Sequence, residues 1–301
     1  MIDQKKFKSA FVALMGRPNS GKSTLMNTIL GEQLSVVTPL PQTTRQNLKG
    51  VYTTDSMQLV FVDTPGIHKG KYAFNESMIK EVHKVIAEQG LDLICYLVDV
   101  SRDFGVEEDT VASIIQKSKV KTLLIFNKID VNKNTEAAKE LFFSKYPYFR
   151  DIPQISLSAI DPKSKEKFLK AVEPYIPEGP QYFDSDDLTD ANLRFFAAEF
   201  IRKHIILNTK DEVPHAVFVE IESYKELEDH HEVIATIHVE TTGQRGIIVG
   251  KGGTLITKIR KAAACDMEEL VHTKVKMTCH IKVTPKWRDN ERFLRFMGMQ
   301  V

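Results

Sequence analysis

The chain has three cysteines in 301 residues, Cys95, Cys265 and Cys279, and none stands at C-x-x-C spacing from another. That sets aside a disulfide framework and a structural zinc site, and it fits a reducing compartment. Cys95 lies inside an apolar run and reads as a small core residue. No apolar run approaches the roughly 18 residues that would cross a bilayer. The opening Met1-Ile2-Asp3-Gln4-Lys5-Lys6 reads as the approach to a strand, without the pattern of a signal peptide, so the expected location is the cytoplasm. Net charge is nearly absent too: 41 basic against 40 acidic side chains leave +1, and overall charge selects no partner. What remains, 42% apolar and 27% charged residues, suits a globular protein large enough for about two domains.

Gly16-Arg17-Pro18-Asn19-Ser20-Gly21-Lys22-Ser23 fits G-x-x-x-x-G-K-[ST], the Walker A pattern. The apolar Ala10–Met15 before it reads as a buried strand, and Thr24–Leu30 after it as a helix. Glycines in such a loop let backbone N–H groups turn inward and form an anion nest at a helix N-terminus. Lys22 is then expected on the β- and γ-phosphates and the Ser23 hydroxyl on Mg²⁺, with Gly16, Asn19, Ser20, Gly21 and Thr24 completing the nucleotide contacts.

From residue 9 to about 176, strand-like runs (Ala10–Met15, Gly50–Thr53, Leu59–Val62, Leu91–Val100, Lys121–Phe126, Pro153–Leu157) alternate with helical patterns in the later part (Asn75–Gln89, Glu107–Lys119, Thr135–Tyr146, Lys163–Tyr175). This is the pattern of an α/β fold with a doubly wound, mainly parallel sheet, whose ligands bind at the carboxyl ends of the strands. Asp63-Thr64-Pro65-Gly66 falls at one such end: Asp63 can hold Mg²⁺ through water, and the Gly66 N–H can meet a γ-phosphate. Asn127-Lys128-Ile129-Asp130 falls at another. The Asp130 carboxylate suits the two coplanar donors of guanine, which adenine lacks; Asn127 can brace the loop and the Lys128 stem can cover the base. Ser158-Ala159, after a further strand, can offer a backbone N–H to the guanine oxygen. Between these motifs, Pro39-Leu40-Pro41-Gln42-Thr43-Thr44-Arg45 reads as an extended loop whose threonine completes the Mg²⁺ shell; spacing leaves Thr43 and Thr44 open, with Thr44 preferred. Lys22, Thr44 and Gly66 are thus the expected catalytic residues, and Ser23, Thr44 and Asp63 the expected metal ligands. The residue after Gly66 is Ile67, not the glutamine that orients water in Ras-like enzymes, which predicts slow intrinsic hydrolysis.

Ile176-Pro177-Glu178-Gly179-Pro180 and the acidic run through Asp187 mark a linker. Beyond it come a helical pattern over Asn192–Leu207, alternating runs at Ala216–Ser223 and Glu232–Glu240, an apolar Ile247-Ile248-Val249, the turn Gly250-Lys251-Gly252-Gly253, a helix over Thr254–Ala264 and a strand over Val275–Val283. Helix, two strands, two helices joined by G-x-x-G and a strand is the order of a type II KH domain, an α+β unit. Its turn lets a nucleic-acid backbone approach closely. Residues 241–288 hold ten Lys and Arg against three acids, whereas 220–240 hold seven acids and one lysine. That local footprint points to RNA contacts at Gly246, Ile247, Ile248, Gly250, Lys251, Gly252, Gly253, Lys258, Arg260 and Lys261. The only tryptophan, in Lys286-Trp287-Arg288-Asp289-Asn290, can equally stack on a base or pack against the domain.

Pro41-Gln42-Thr43-Thr44-Arg45 followed by Asp63-Thr64-Pro65-Gly66-Ile67-His68-Lys69, together with the G-x-x-G and the Trp-Arg-Asp-Asn tail, resembles the bacterial Era family over about Phe7 to Gly298. The resemblance implies a GTPase domain over 1–178, a linker over 179–191 and an RNA-binding KH domain over 192–301. It implies GTP/GDP and Mg²⁺ as cofactors. The implied partners are small-subunit ribosomal RNA near its 3′ end and the assembling small ribosomal subunit. The resemblance also implies a monomer that can associate peripherally with the membrane. Ser20, where the family often has valine, and Gly70, where it often has proline, depart from the pattern. A GTP-gated adaptor whose KH-like domain docks a protein is the competing expectation; an ATP-using kinase is opposed by Asn127–Asp130.

Overall fold

The computed structural model describes residues 6–37, 48–64, 66, 72–88, 90–132 and 134–297; Thr43, Thr44, Ile67, His68, Lys69 and Gly70 lie outside the described residues. In the first half the elements run β1 (Lys8–Met15), α1 (Lys22–Leu30), β2 (Leu48–Thr53), β3 (Met57–Asp63), α2 (Ala73–Glu88), β4 (Leu93–Asp99), α3 (Val106–Ser118), β5 (Thr122–Asn127), α4 (Thr135–Lys145), β6 (Gln154–Ser156) and α5 (Ser164–Val172). The strands form one sheet in the order β2-β3-β1-β4-β5-β6. It is parallel except for β2, which runs antiparallel to β3. Period-two alternation sends Ala10, Val12 and Leu14 into a core with Leu25, Met26 and Phe168 on one face. Ala13 and Met15 enter a second core on the other face, with Val82, Val111 and Phe142. β4 is buried along its whole length, which is why its sequence is a continuous apolar run. Chain direction diverges on either side of β1, so the loops after β1, β3 and β5 share the crevice where such sheets bind ligands.

The second half comprises α6 (Leu193–Asn208), β7 (Phe218–Glu226), β8 (His230–Val239), α7 (Thr242–Val249), α8 (Thr254–Val271), β9 (Lys274–Val283) and α9 (Glu291–Phe296). Its sheet runs β7-β8-β9, with β7 antiparallel and β9 parallel to β8, the type II KH arrangement. The helix expected to end near Ala264 continues to Val271, because Ile259, Ala263 and Met267 recur at i, i+4 and i+8 on one buried face. A capping box opens α7: Thr241 accepts from the Gln244 N–H at 3.2 Å, and Gln244 Oε1 accepts from the Thr241 N–H at 3.2 Å.

The segment expected as a linker is sewn to the first domain. Residues at its start bond to the N-terminal end of β1, Ser9 N to Pro177 O and Gly179 N to Phe7 O, both at 3.1 Å. Further on, the Val51 N–H of the edge strand β2 donates to Leu188 O at 2.8 Å, which covers part of an otherwise open sheet edge. Between these points Gln58 is fully buried: its Oε1 accepts from the Tyr182 and Phe183 N–H groups at 2.8 and 3.1 Å, and its Nε2 donates to Phe183 O at 3.0 Å.

A second contact joins α2 to the C-terminal tail. Trp287 is fully buried, donates Nε1–H to Ala216 O at 2.9 Å, and meets Phe74 of α2 edge-on with ring centroids 5.5 Å apart. Met78, Leu294 and Met297 complete that cluster, and the Arg288 guanidinium lies 3.9 Å from the Tyr72 ring centroid. Of the two roles open to Trp287, packing is the one the structure shows.

Gln58→Ala takes the acceptor from the part-buried Tyr182 and Phe183 N–H groups, while the Phe183 carbonyl keeps the Gln181 amide as a donor at 2.8 Å. A loss of about 1–2 kcal/mol in urea unfolding is expected, with faster proteolysis at 180–187. A variant as stable and protease-resistant as the wild type would show that the segment is held by its backbone bonds alone.

Candidate guanine-nucleotide site and nucleic-acid interface

The loop after β1 turns into α1 through Gly21, whose φ of 98° lies in the left-handed region. A Cβ there would sit 2.2 Å from Asn127 Nδ2, so the position must be glycine on two counts. Asn127 ends β5 and is fully buried. Its Nδ2 donates to Ser20 O at 2.7 Å, and its Oδ1 accepts from the Ala159 N–H at 2.8 Å. One amide thus ties the phosphate loop, the guanine motif and the Ser158-Ala159 loop together. Thr28 of α1 adds a second tie, donating to Ala159 O at 2.6 Å.

Lys22 is buried, and its ammonium donates to the carbonyls of Gly16 and Arg17, both at 3.1 Å. Burial lowers its pKa to about 8, with Asp63 and Glu108 opposing the shift. Ser23 Oγ donates to Asp63 Oδ2 at 2.7 Å, and the buried Ser35 hydroxyl donates to the same oxygen at 3.1 Å. A hydroxyl and a carboxylate converging beside a phosphate-binding ammonium form the hard oxygen donor set that Mg²⁺ takes, so Ser23 and Asp63 fit the expected ion. Thr64 donates to Leu14 O at 2.8 Å, and Gly66 lies against the backbone of Pro18, which places the two phosphate motifs side by side. Thr24 lines a cavity of about 590 Å³ with Asn27, Thr28 and Ser35. Asp130 and Ser158 line another, of about 550 Å³. Asn19 and Lys128 take left-handed backbone, with φ of 59° and 66°. Hydrogen bonds thus tie Ser20 to Asn127, Asn127 to Ala159 and Ser23 to Asp63, while Thr24 and Asp130 line two separate cavities and Thr44 lies outside the described residues.

Four side chains that sequence reasoning passed over belong to the same site. Asp99, buried at the end of β4, accepts from Lys128 Nζ and Arg102 Nε through Oδ2, both at 2.9 Å, and from Ser101 through Oδ1. Burial pushes its carboxyl up, but the Lys128 and Ser101 hydrogen bonds outweigh this and leave it below the usual range. Arg102 reaches the Pro18 carbonyl. Arg17 donates to the carbonyls of Asp103, Asp99 and Arg102 at 2.5, 3.0 and 3.2 Å and pairs with Glu108 at 3.0 Å. Glu108 in turn accepts from Tyr96 at 2.5 Å, and burial holds its carboxyl above the usual range. An acid at the end of a parallel strand was a visible signal for Asp99; Arg17 occupies an unspecified motif position and gave none.

In the second domain, three glycines of the G-x-x-G turn have left-handed φ, 71° at Gly250, 60° at Gly252 and 78° at Gly253. A Cβ on Gly250 would lie 2.7 Å from that of Leu255, whereas one on Gly252 would meet nothing within 4 Å. Gly246, Ile247, Lys251, Lys258 and Lys261 are exposed around the turn and along α8. Ile248 is corrected: at 0% exposure it packs in the core with Ile259, while its neighbour Ile247, 49% exposed, faces outward. Arg260 is half-buried and turns one end toward its own domain, donating to Met277 O at 3.4 Å.

A parallel sheet whose loops carry these motifs, followed by a type II KH unit, defines a P-loop GTPase with an RNA-binding module. Residues 11–128 match the family described as 50S ribosome-binding GTPase, and residues 212–288 match the KH domain family. GTPase Era of Ruminiclostridium cellulolyticum is 40% identical over 294 residues, 97% of each chain. GTPase Era of Geobacter metallireducens is 38% identical over 301 residues, 99% of each. The solved structure of Era in complex with MgGDPNP and nucleotides 1506–1542 of 16S ribosomal RNA superposes with a TM-score of 0.91 at 28% identity, covering 97% of this chain and 99% of that one. The chain belongs to the Era family of GTPases. It is a GTPase that uses GTP, GDP and Mg²⁺.

Asn127→Ala removes both buried hydrogen bonds and should weaken GDP binding by roughly 30- to 150-fold, as about 2–3 kcal/mol requires. Displacement of a fluorescent GDP analogue checks it. A shift under threefold would mean that the loops are held in register without the Asn127 amide.

Proposed function

We propose that this GTPase is a slow molecular switch that clamps single-stranded small-subunit ribosomal RNA near its 3′ end and acts in assembly of that subunit. The observation that carries the reading is the presence, in one chain, of a phosphate loop locked to a guanine motif and an exposed G-x-x-G turn flanked by lysines. The relative solved with 16S ribosomal RNA supports the choice of RNA.

GTP enters with its base against Asp130 and its phosphates over the loop N–H groups, where Lys22 exchanges two backbone carbonyls for phosphate oxygens. Water attacks the γ-phosphorus, the bond to the β–γ bridging oxygen breaks, and GDP and phosphate leave. Mg²⁺, when bound by Ser23 and Asp63, neutralises charge that builds on the phosphate oxygens. The protein's part is positioning and charge stabilisation. Thr44 is assigned to the switch loop, and Ile67 accounts for a low intrinsic rate. The nucleotide state reaches the RNA module through α2, which follows Gly66 in sequence and packs by Phe74 on Trp287. The reading takes the chain as a cytoplasmic monomer whose membrane association is peripheral. Among the described residues no helix is long and apolar enough to cross a membrane.

Two substitutions test the two ends. Asp130→Asn should reverse the preference from guanine to xanthine nucleotides in competition binding, and unchanged preference would remove Asp130 from the base site. Gly252→Asp meets open space but takes a left-handed φ of 60°, which costs aspartate about 1 kcal/mol, so it should stay folded with a slightly lowered melting temperature. It should nevertheless lose at least tenfold in salt-sensitive binding to a 3′-end oligoribonucleotide. Wild-type protein that binds no such RNA would favour the adaptor reading.

A further inference from the structure

Resting on the guanine-nucleotide reading, we infer that Asp99 is a positioning residue that makes base recognition and phosphate-loop geometry depend on each other. Asp99 lies outside the nucleotide motifs, yet its Oδ2 holds both sides of the site. On one side it binds the ammonium of Lys128, the guanine-motif lysine, at 2.9 Å. Lys128 stands in left-handed backbone, so an anchor on its side chain fixes a loop that local preference would not hold. On the other side Asp99 binds Arg102 Nε at 2.9 Å, and the far end of that guanidinium donates to the carbonyl of Pro18 inside the phosphate loop. The Asp99 carbonyl takes Arg17 of the same loop at 3.0 Å. The turn over 99–103 is therefore a bridge between two ligand loops, with a buried charge at its centre and Glu108 and Tyr96 bracing Arg17 behind it.

Buried charges paired on two sides transmit displacement, because releasing one partner changes the position the other prefers. If Arg102 lets go, the Asp99 carboxylate keeps only Ser101 and Lys128, and the plane that Asp130 presents to the base loses its side-chain tie to the phosphate loop. Base and phosphates then bind as two loosely joined fragments, and the linkage that makes discrimination at the base steep is lost.

The readout is the ratio of affinities for GDP and IDP, since hypoxanthine lacks the exocyclic amine that Asp130 can accept from. Arg102→Ala is the main variant: its side chain is 41% exposed and joins Asp99 to Pro18 without reaching Lys128 or Asp130, so it should fold. Asp99→Asn keeps volume and serves as the second. Both should lower the GDP:IDP ratio three- to tenfold, with Arg102→Ala doing so although it touches nothing at the base. If wild-type protein shows no preference for GDP over IDP, the guanine reading falls and this inference with it. If the wild type prefers GDP and folded Arg102→Ala keeps that preference while losing affinity for both nucleotides equally, the inference alone is overturned.

Discussion

The two hydrogen bonds of the buried Asn127 amide are the constraint on which the rest of this site depends. Three loops that leave different strands must meet around one nucleotide, and none has regular structure of its own to hold it. Asn127 joins all three at distances of 2.7 and 2.8 Å, and the approach is so close that Gly21 has no room for a side chain. A carboxamide is suited to the task because it donates and accepts from one rigid plane, pairing a carbonyl on one loop with an N–H on another. The cost of burying it is met only while both partners stay in place, so the three loops share one geometry.

The same economy appears where the domains meet. The 179–191 segment carries the composition of a free linker but spends its polar groups on β1, β2 and Gln58, so the start of α6 is fixed relative to the edge of the nucleotide-binding sheet. On the α2 side, Phe74 and Trp287 bring the C-terminal tail to the helix that follows the second phosphate motif. On the proposed function, a backbone shift near Gly66 is read out at this packed aromatic contact, and packed contacts respond by repacking more readily than by stretching.

The motifs were legible because phosphate, Mg²⁺ and guanine each demand particular residue types at fixed spacing. The alternation of strands and helices was legible because burial on both faces of β4, and on alternate sides of β1, writes itself into the residue pattern. Arg17 and Glu108 are 91 positions apart in the chain and meet only in the fold, so their ion pair left no local trace. The strapping of the linker combines backbone hydrogen bonds, which ask for no particular side chain, with the Gln58 amide, whose partners Tyr182 and Phe183 are distant in the chain. The last turns of α8 were hidden because Asp266, Glu268 and Glu269 surround the one buried Met267 with charge. Ile248 was misread for a related reason: two isoleucines in succession on a helix point about 100° apart, and sequence alone does not say which is inward.

The account stands or falls on the coupling between nucleotide and RNA. Its most direct test is the affinity of the wild-type chain, with Mg²⁺ at fixed salt, for one labelled oligoribonucleotide from the 3′ end of small-subunit ribosomal RNA. The affinity is measured once with a non-hydrolysable GTP analogue and once with GDP. The account predicts tighter binding in the GTP-analogue state by a factor of about ten or more, equivalent to at least about 1.4 kcal/mol of coupling. Equal affinities in the two states, with each nucleotide shown to be bound, would contradict it.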